Sequence, residues 1–230
     1  SAQNDDSAAS GADGRYTIHV LTFGRGEDLF SRFGHIAMVV DDHRERTRKV
    51  YNFGTFDFSD PALQIKYARG FLNYWVSVES YDAMVDFYAS LDRDIWLQTL
   101  NFTPEQAAAV AEKLRVNALP ENRVYAYRHY MDNCCTRIRD IIDSATSGAL
   151  SRGGKAEKTG RDFRYWTRKC LSGLPLFQSV ILYCLGPAID HPVTRWQEEF
   201  LPEVLMADLE TATQGQDRRP VVRTLRHVSK

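Results

Sequence analysis

Cys134 carries the most nucleophilic side chain in a promising position, because the residues before it, Asp132 and Asn133, are both types that cap helix N-termini. A thiol in a first helical turn sits where unpaired backbone N–H groups and the positive end of the helix dipole converge. Both favour thiolate over thiol, and such positions lower a cysteine pKa well below its free value of about 8.5. The same N–H groups can supply part of an oxyanion hole. The chemistry implied is attack on a carbonyl. The competing reading is a buried structural cysteine, since Ile138, Ile141 and Ala145 share roughly one helix face with Cys134 and turn the thiol toward the core. Cys135 projects roughly a third of a turn away. Strained vicinal disulfides are rare, so two separate thiols are expected.

A nucleophilic cysteine needs a base, and six histidines are available. His43 falls in a charged turn and His227 in the basic tail, which predicts solvated rings. His191 precedes Pro192 in an irregular stretch, and His129 lies five positions before Cys134, a spacing that does not fix their separation in space. His35 opens an apolar run directly after Ser31-Arg32-Phe33-Gly34. Glycine permits close backbone approach there, and a strand would hold the imidazole rigidly. A satisfied core histidine is the alternative at that position.

Other chemistries find little support. The chain has no C-x-x-C or H-E-x-x-H spacing for zinc, no G-x-S-x-G elbow, and only Gly24-Arg25-Gly26 where a phosphate loop would need more. No metal and no cofactor is expected. The 230 residues carry 29 basic and 30 acidic side chains, a net charge of -1, with 43% apolar residues. That is the balance of an ordinary globular chain without the basic excess of a nucleic-acid binder.

The elements that must position these groups follow from periodicity and caps. Tyr16 to Phe23 alternates as a strand and stops at Gly24. His35 to Val40 is a second strand, followed by a charged turn over Asp41 to Lys49 and a third strand, Val50 to Phe53. Tyr74 to Val78 and Ile95 to Phe102 are further strands, separated by an aromatic helix near Ala83 to Leu91. Thr103-Pro104-Glu105-Gln106 opens the clearest helix with a capping box, and another starts at Asp132-Asn133. Ser147 to Gly160 reads as a loop. Strands come first and helices cluster later, which predicts α+β. Ser1 to Gly14 reads as a flexible leader, residues 15–213 as a single domain, and residues 214–230 as a basic tail or edge strand whose alternative use is contact with anionic lipid headgroups.

Three stretches in one order resemble a known family: Ser31 to His35, Tyr51 to Phe58, and Asp132 to Asp140 with its Asn133-Cys134-Cys135-Thr136 core. The family is the Lnb-type N-terminal periplasmic domain. Gly70 to Val78, Leu100 to Gln106, Pro120 to Arg123 and Pro192 to Met206 agree as well, so the likeness runs from about Tyr16 to Thr213. The resemblance implies a permuted papain-like (NlpC-like) cysteine fold, an antiparallel sheet with helices packed on it, histidine preceding cysteine, and a periplasmic or cell-envelope location. It also implies activity similar to that of lipoprotein N-acyltransferases, with a phospholipid acyl donor, a lipoprotein or other amine acceptor, and association with a membrane surface. Carried over by position, Cys134 is the nucleophile and His35 the base, while Cys135 stands where the family has a small residue.

Such enzymes orient the imidazole with a third polar group. In the permuted order it should come from the strand after His35, which points to Asn52, with Tyr51 as substitute because adjacent strand residues face opposite ways. Ser31, Arg32, Asp57, Asn133 and Cys135 are expected to line or brace the pocket, Arg32 either holding a phosphate or carboxylate or pairing with Asp57. Arg139 is expected to pair with Asp140 or Asp143 on the helix surface. One departure stands out. Acyltransferase members continue into membrane-spanning helices, whereas the longest charge-free stretch here, Cys170 to Ile189, is broken by Gly173, Pro175, Gly186 and Pro187 and reads as a buried helical hairpin. Cys170 and Cys184 flank it, either bridged or as two buried free thiols. Three functions stay open: acyl transfer to an amine, a cysteine amidase or peptidase acting on cell-wall peptides, and a non-catalytic binding module.

Overall fold

A computed structural model describes residues 14–56 and 73–229. The strands are β1 (Tyr16–Phe23), β2 (His35–Asp42), β3 (Thr47–Thr55), β4 (Asn73–Ser80), β5 (Ile95–Leu100), β6 (Val124–Ala126), β7 (Lys158–Asp162), β8 (Pro192–Thr194), β9 (Thr213–Gln214), β10 (Arg219–Pro220) and β11 (Val222–Ser229). The helices are α1 (Tyr81–Ser90), α2 (Pro104–Asn117), α3 (Cys134–Ala145), α4 (Ser151–Gly154), α5 (Phe163–Cys170), α6 (Pro175–Leu185), α7 (Arg195–Glu198) and α8 (Pro202–Thr211). Seven strands form one antiparallel sheet in the order β11-β5-β1-β2-β3-β4-β6. The architecture is α+β, as the order of elements predicts.

Strand alternation covers both faces of the sheet. Ile18, Val20, Ile36, Met38, Tyr51 and Phe53 meet α2, α3 and α8 through Leu114, Ile138 and Leu205. Leu21, Phe23, Ala37, Val39 and Val50 meet α1 through Tyr81 and Met84. Tyr51 and Asn52 therefore point to opposite faces. The β2–β3 hairpin is tighter than its charges suggest, with Asp42 opposite Thr47. Arg15 neutralises Asp42 and Arg48 neutralises Asp41, so charged residues extend the strands instead of forming the turn. The capping box at Thr103 and Gln106 is present. The expected loop over Ser147 to Gly160 contains α4 and the start of β7, and β11 pairs with β5 at the sheet edge.

A smaller core of Phe163, Trp166, Leu182, Val193, Phe200 and Val204 joins the C-terminal helices. Glu198, fully buried, anchors it: its carboxylate accepts from Thr159 Oγ1 at 2.7 Å, Arg161 Nε and Nη2 at 2.7 Å, and Trp166 Nε1 at 2.9 Å. Burial opposes ionisation there, yet these donors together hold the carboxyl below its usual range. Arg139 is not at the helix surface. Its guanidinium is buried, lies over the Trp196 ring at 3.6 Å, and donates to the Trp196 carbonyl at 2.7 Å as well as to Asp140.

Two expectations for the charge-free stretch are corrected. It is not a buried hairpin: α6 packs Leu182 inward but leaves Leu176, Phe177, Val180 and Tyr183 exposed, because apolar residues occupy most of its circumference, with Gln178 and Ser179 between them, and the small core takes one face. Cys170 and Cys184 are both free, the first buried and the second exposed.

Glu199 behaves oppositely to its neighbour. Burial, reinforced by the adjacent Asp208 carboxylate, raises its pKa to about 9, so at neutral pH the folded protein keeps a proton that the unfolded chain releases. The folded state binds more protons between the ordinary carboxyl range and about pH 9, and stability falls as pH rises through that window. Glu199→Gln should flatten this dependence and raise stability at alkaline pH by on the order of 1 kcal/mol. Denaturant midpoints at acid and alkaline pH measure it, and parallel pH profiles for the two proteins would refute it.

Candidate active site

Asn133 caps α3 through a reciprocal box. Its Oδ1 accepts the Thr136 N–H at 2.9 Å, and Thr136 Oγ1 accepts the Asn133 N–H at 2.8 Å. The Asn133 amide also donates to the carbonyls of His129 and Phe200 at 2.8 and 2.9 Å. Asn133 thus clamps three segments around the start of α3. Cys134 is the first helical residue, so its amide and that of Cys135 have no carbonyl four places back inside the helix.

The two adjacent thiols divide. Cys135 is fully buried in the main core with Ile138 and Ile142, and burial pushes its thiol pKa well up. Cys134 packs against that same core, as its helix face predicts, and is partly exposed to a cleft. A hydrogen bond from Cys135, the His35 imidazole and the Ile36 backbone N–H together hold Cys134 well below the ordinary thiol range, against burial.

His35 is placed by three devices. Gly34 has φ +78 and lies where a Cβ would meet the Phe23 carbonyl at 3.1 Å, so only glycine suits the bend into β2. The imidazole stacks nearly parallel to Phe23 and Tyr88, with centroids 5.8 and 5.9 Å away. Its Nε2 lies 2.9 Å from Asn52 Oδ1, which also accepts the Gly54 N–H at 2.9 Å. The Asn52 amide nitrogen donates to Glu79 Oε1 at 3.3 Å, and Ser77 donates to the same oxygen at 2.6 Å. With Oδ1 accepting, Nε2 must carry the hydrogen, which leaves Nδ1 as the basic nitrogen.

Together His35 and Cys134 line a cleft of about 80 Å³ whose walls are Phe33, Phe56, Tyr74, Tyr127, Phe200 and Pro202. His129 lines it too, with Nδ1 3.0 Å from the Tyr127 hydroxyl, and desolvation lowers its pKa to about 4. A ring so desolvated is a poor base near neutrality. The larger concavity, about 1100 Å³, lies along α2 and α3 and has no cysteine or histidine in its lining.

The family described as the Lnb N-terminal periplasmic domain matches residues 11–169. The chain belongs to that family. No curated protein and no solved structure matches it. The matched residues contain His35, Asn52 and Cys134, while the agreement over Pro192 to Met206 falls outside them. This Lnb-type domain is periplasmic, and among the described residues no helix is long and apolar enough to cross a membrane.

Not every sequence-derived site residue converges on the cleft of this Lnb-type domain. Tyr51 does not; it packs in the core on the opposite face from Asn52, where burial pushes its phenol pKa up. Ser31 and Arg32 are taken up by their own turn, Ser31 donating to the Asp28 carbonyl at 2.8 Å and Arg32 to the Glu27 carbonyl at 3.1 Å. Asp57 lies outside the described residues. Four contributors were missed. Glu79 and Ser77 alternate on one face of β4 and their period was readable; Tyr88 on α1 reaches His35 only through packing.

Gly54 is the fourth. A Cβ there would lie 2.3 Å from His35 Cε1. Gly54→Ala should displace the imidazole and slow Cys134 alkylation at neutral pH by roughly tenfold or more while leaving the fold intact, since a displacement on the ångström scale in a catalytic group can carry such a cost. Alkylation kinetics followed by mass spectrometry read the effect, and an unchanged rate with an unchanged pH profile would refute it.

Proposed function

We propose that this domain is a cysteine acyl-transfer enzyme of permuted papain-like type, moving an acyl chain from a phospholipid to an amine through a thioester on Cys134. The observation that carries the reading is the grouping of Cys134, His35 and Asn52: a thiol with depressed pKa at a helix N-terminus shares a cleft with an imidazole that lowers that pKa and whose Nε2 is fixed by a side-chain amide. His35 Nδ1 takes the thiol proton, and the thiolate attacks the ester carbonyl. The oxyanion forms against the first-turn amides of α3. The ester C–O bond then breaks, the leaving alkoxide takes the proton from His35, and the acyl group stays on sulfur. An amine attacks the thioester, gives a proton to His35 and releases the Cys134 thiolate.

The aromatic walls of the cleft support an acyl substrate. Its volume of about 80 Å³ accommodates the reacting carbonyl and the first carbons of a chain. That small size also suits a peptide amide, so a cysteine amidase is the second reading.

Incubation with diacyl phospholipid, followed by mass spectrometry of the peptide containing Cys134, tests the proposal. A hydroxylamine-labile acyl adduct and release of lysophospholipid are expected. Intact phospholipid together with cleaved muropeptide would replace acyl transfer by amidase activity. Alkylation of Cys134 no faster than that of a free thiol would reduce the domain to a binding module.

A further inference from the structure

The helix α6 has a surface that the site does not use. From Leu171 to Ile189 there is no charged side chain, yet most of the helix faces outward. Leu176 is 75% exposed, Phe177 54%, Val180 53% and Tyr183 87%. These positions recur at helical spacing, so the exposed side is a continuous apolar stripe, while Leu182, with half-buried Leu185, faces the small C-terminal core. Scattered exposed apolar residues need no explanation, but a contiguous stripe with no charge marks a surface that is covered in use.

The surroundings say by what. Arg168 and Lys169 end α5, and α6 is tied to them by Gln178, which donates to the Arg168 carbonyl at 2.9 Å. Arg25 joins this group, donating to the Lys169 carbonyl at 3.3 Å, and a single carboxylate, Glu203, serves both Arg25 and Lys169. The cations Arg25, Arg164, Arg168 and Lys169 outnumber the carboxylates that act on them, Glu203, Asp190 and Asp162, which leaves a net positive rim beside an apolar helix. Exposed Tyr165 adds an amphipathic ring of the kind that settles at headgroup depth. Eleven residues span roughly 16 Å as a helix, too short to cross a bilayer and long enough to lie along one.

We infer that α6 is a membrane-docking helix that lies in the lipid interface, its Leu176–Phe177–Val180–Tyr183 stripe among acyl chains and the Arg25–Arg168–Lys169 rim on anionic headgroups. The core that carries α6 includes Phe200 and Phe33, which also wall the Cys134 cleft. The inference stands on surface chemistry alone and holds whether or not Cys134 forms a thioester.

Vesicles of phosphatidylethanolamine with phosphatidylglycerol, and separately of phosphatidylcholine, provide the test. In a Cys134→Ala background an environment-sensitive dye can be placed on exposed Cys184, the other two cysteines being buried. Co-sedimentation and a blue shift of the dye are expected, stronger on the anionic vesicles at low salt. Phe177→Glu should weaken partitioning by roughly tenfold or more. Arg168→Glu with Lys169→Glu should remove the preference for anionic vesicles. Val124→Glu, an equally exposed apolar site on β6, should bind as before. Thermal melts of each variant report folding separately. The inference is overturned if the unsubstituted helix does not partition, if Phe177→Glu and Val124→Glu bind alike, or if the protein is a dimer that Phe177→Glu dissociates without any vesicle binding.

Discussion

Cys134→Ala should eliminate every acyl adduct and all rapid alkylation, whereas His35→Ala should leave a slow thiol whose reaction at neutral pH is on the order of 10²–10⁴-fold weaker in any acyl-transfer assay. The two effects differ because they remove different things. In the proposed mechanism the first deletes the atom that would bond the acyl group. The second deletes the proton acceptor and one of the contacts that hold the Cys134 pKa well below the ordinary thiol range. The pH dependence separates them further. Alkylation of the intact protein should persist well below the free-thiol pKa of about 8.5, and in His35→Ala the curve should move up toward that value, because removing a partner that favours the thiolate raises the thiol pKa. Cys135, pushed in the opposite direction by burial, should stay unlabelled throughout. Equal alkylation profiles for the intact protein and His35→Ala would dismantle the catalytic pair.

Glu198→Ala should cost about 3 kcal/mol or more of stability, because it strands Arg161, Trp166 and Thr159 around a fully buried site. Arg161 is one-third exposed and can regain water, which holds the figure at the low end of the range for a broken buried pair. Glu198→Gln should cost less, since the amide oxygen can still accept one of these donors. The damage should not stay local. Glu198 holds the small core that positions Phe200, a wall of the cleft and, through its carbonyl, a partner of the Asn133 cap. Slower Cys134 alkylation should therefore accompany the loss of stability. Denaturant unfolding of both variants beside alkylation rates reads the two effects, and a midpoint shift without a rate change would uncouple this core from the site.

Much of the site is local enough to be read from the residues themselves. An Asn-Cys-Cys-Thr run carries its own reciprocal cap, and a cap places Cys134 in the first turn wherever the helix later packs. Strand alternation separates Tyr51 from Asn52 before any tertiary contact forms, and Gly34 announces a bend. Those features depend on neighbours within a few residues, where backbone geometry alone decides.

What tertiary structure decided is the set of choices that local geometry leaves equal. His35 and His129 both line the cleft; contact with the sulfur distinguishes the first, desolvation the second. Glu79 and Ser77 join the site only because β4 pairs with β3, and Ser31 and Arg32 leave it because their own turn absorbs them. The exposure of α6 shows the same limit most plainly. A helix apolar on most of its sides has only a weak amphipathic period to report which face will be buried, so burial there is settled by the area its neighbours can cover, a quantity that exists only once the chain has packed.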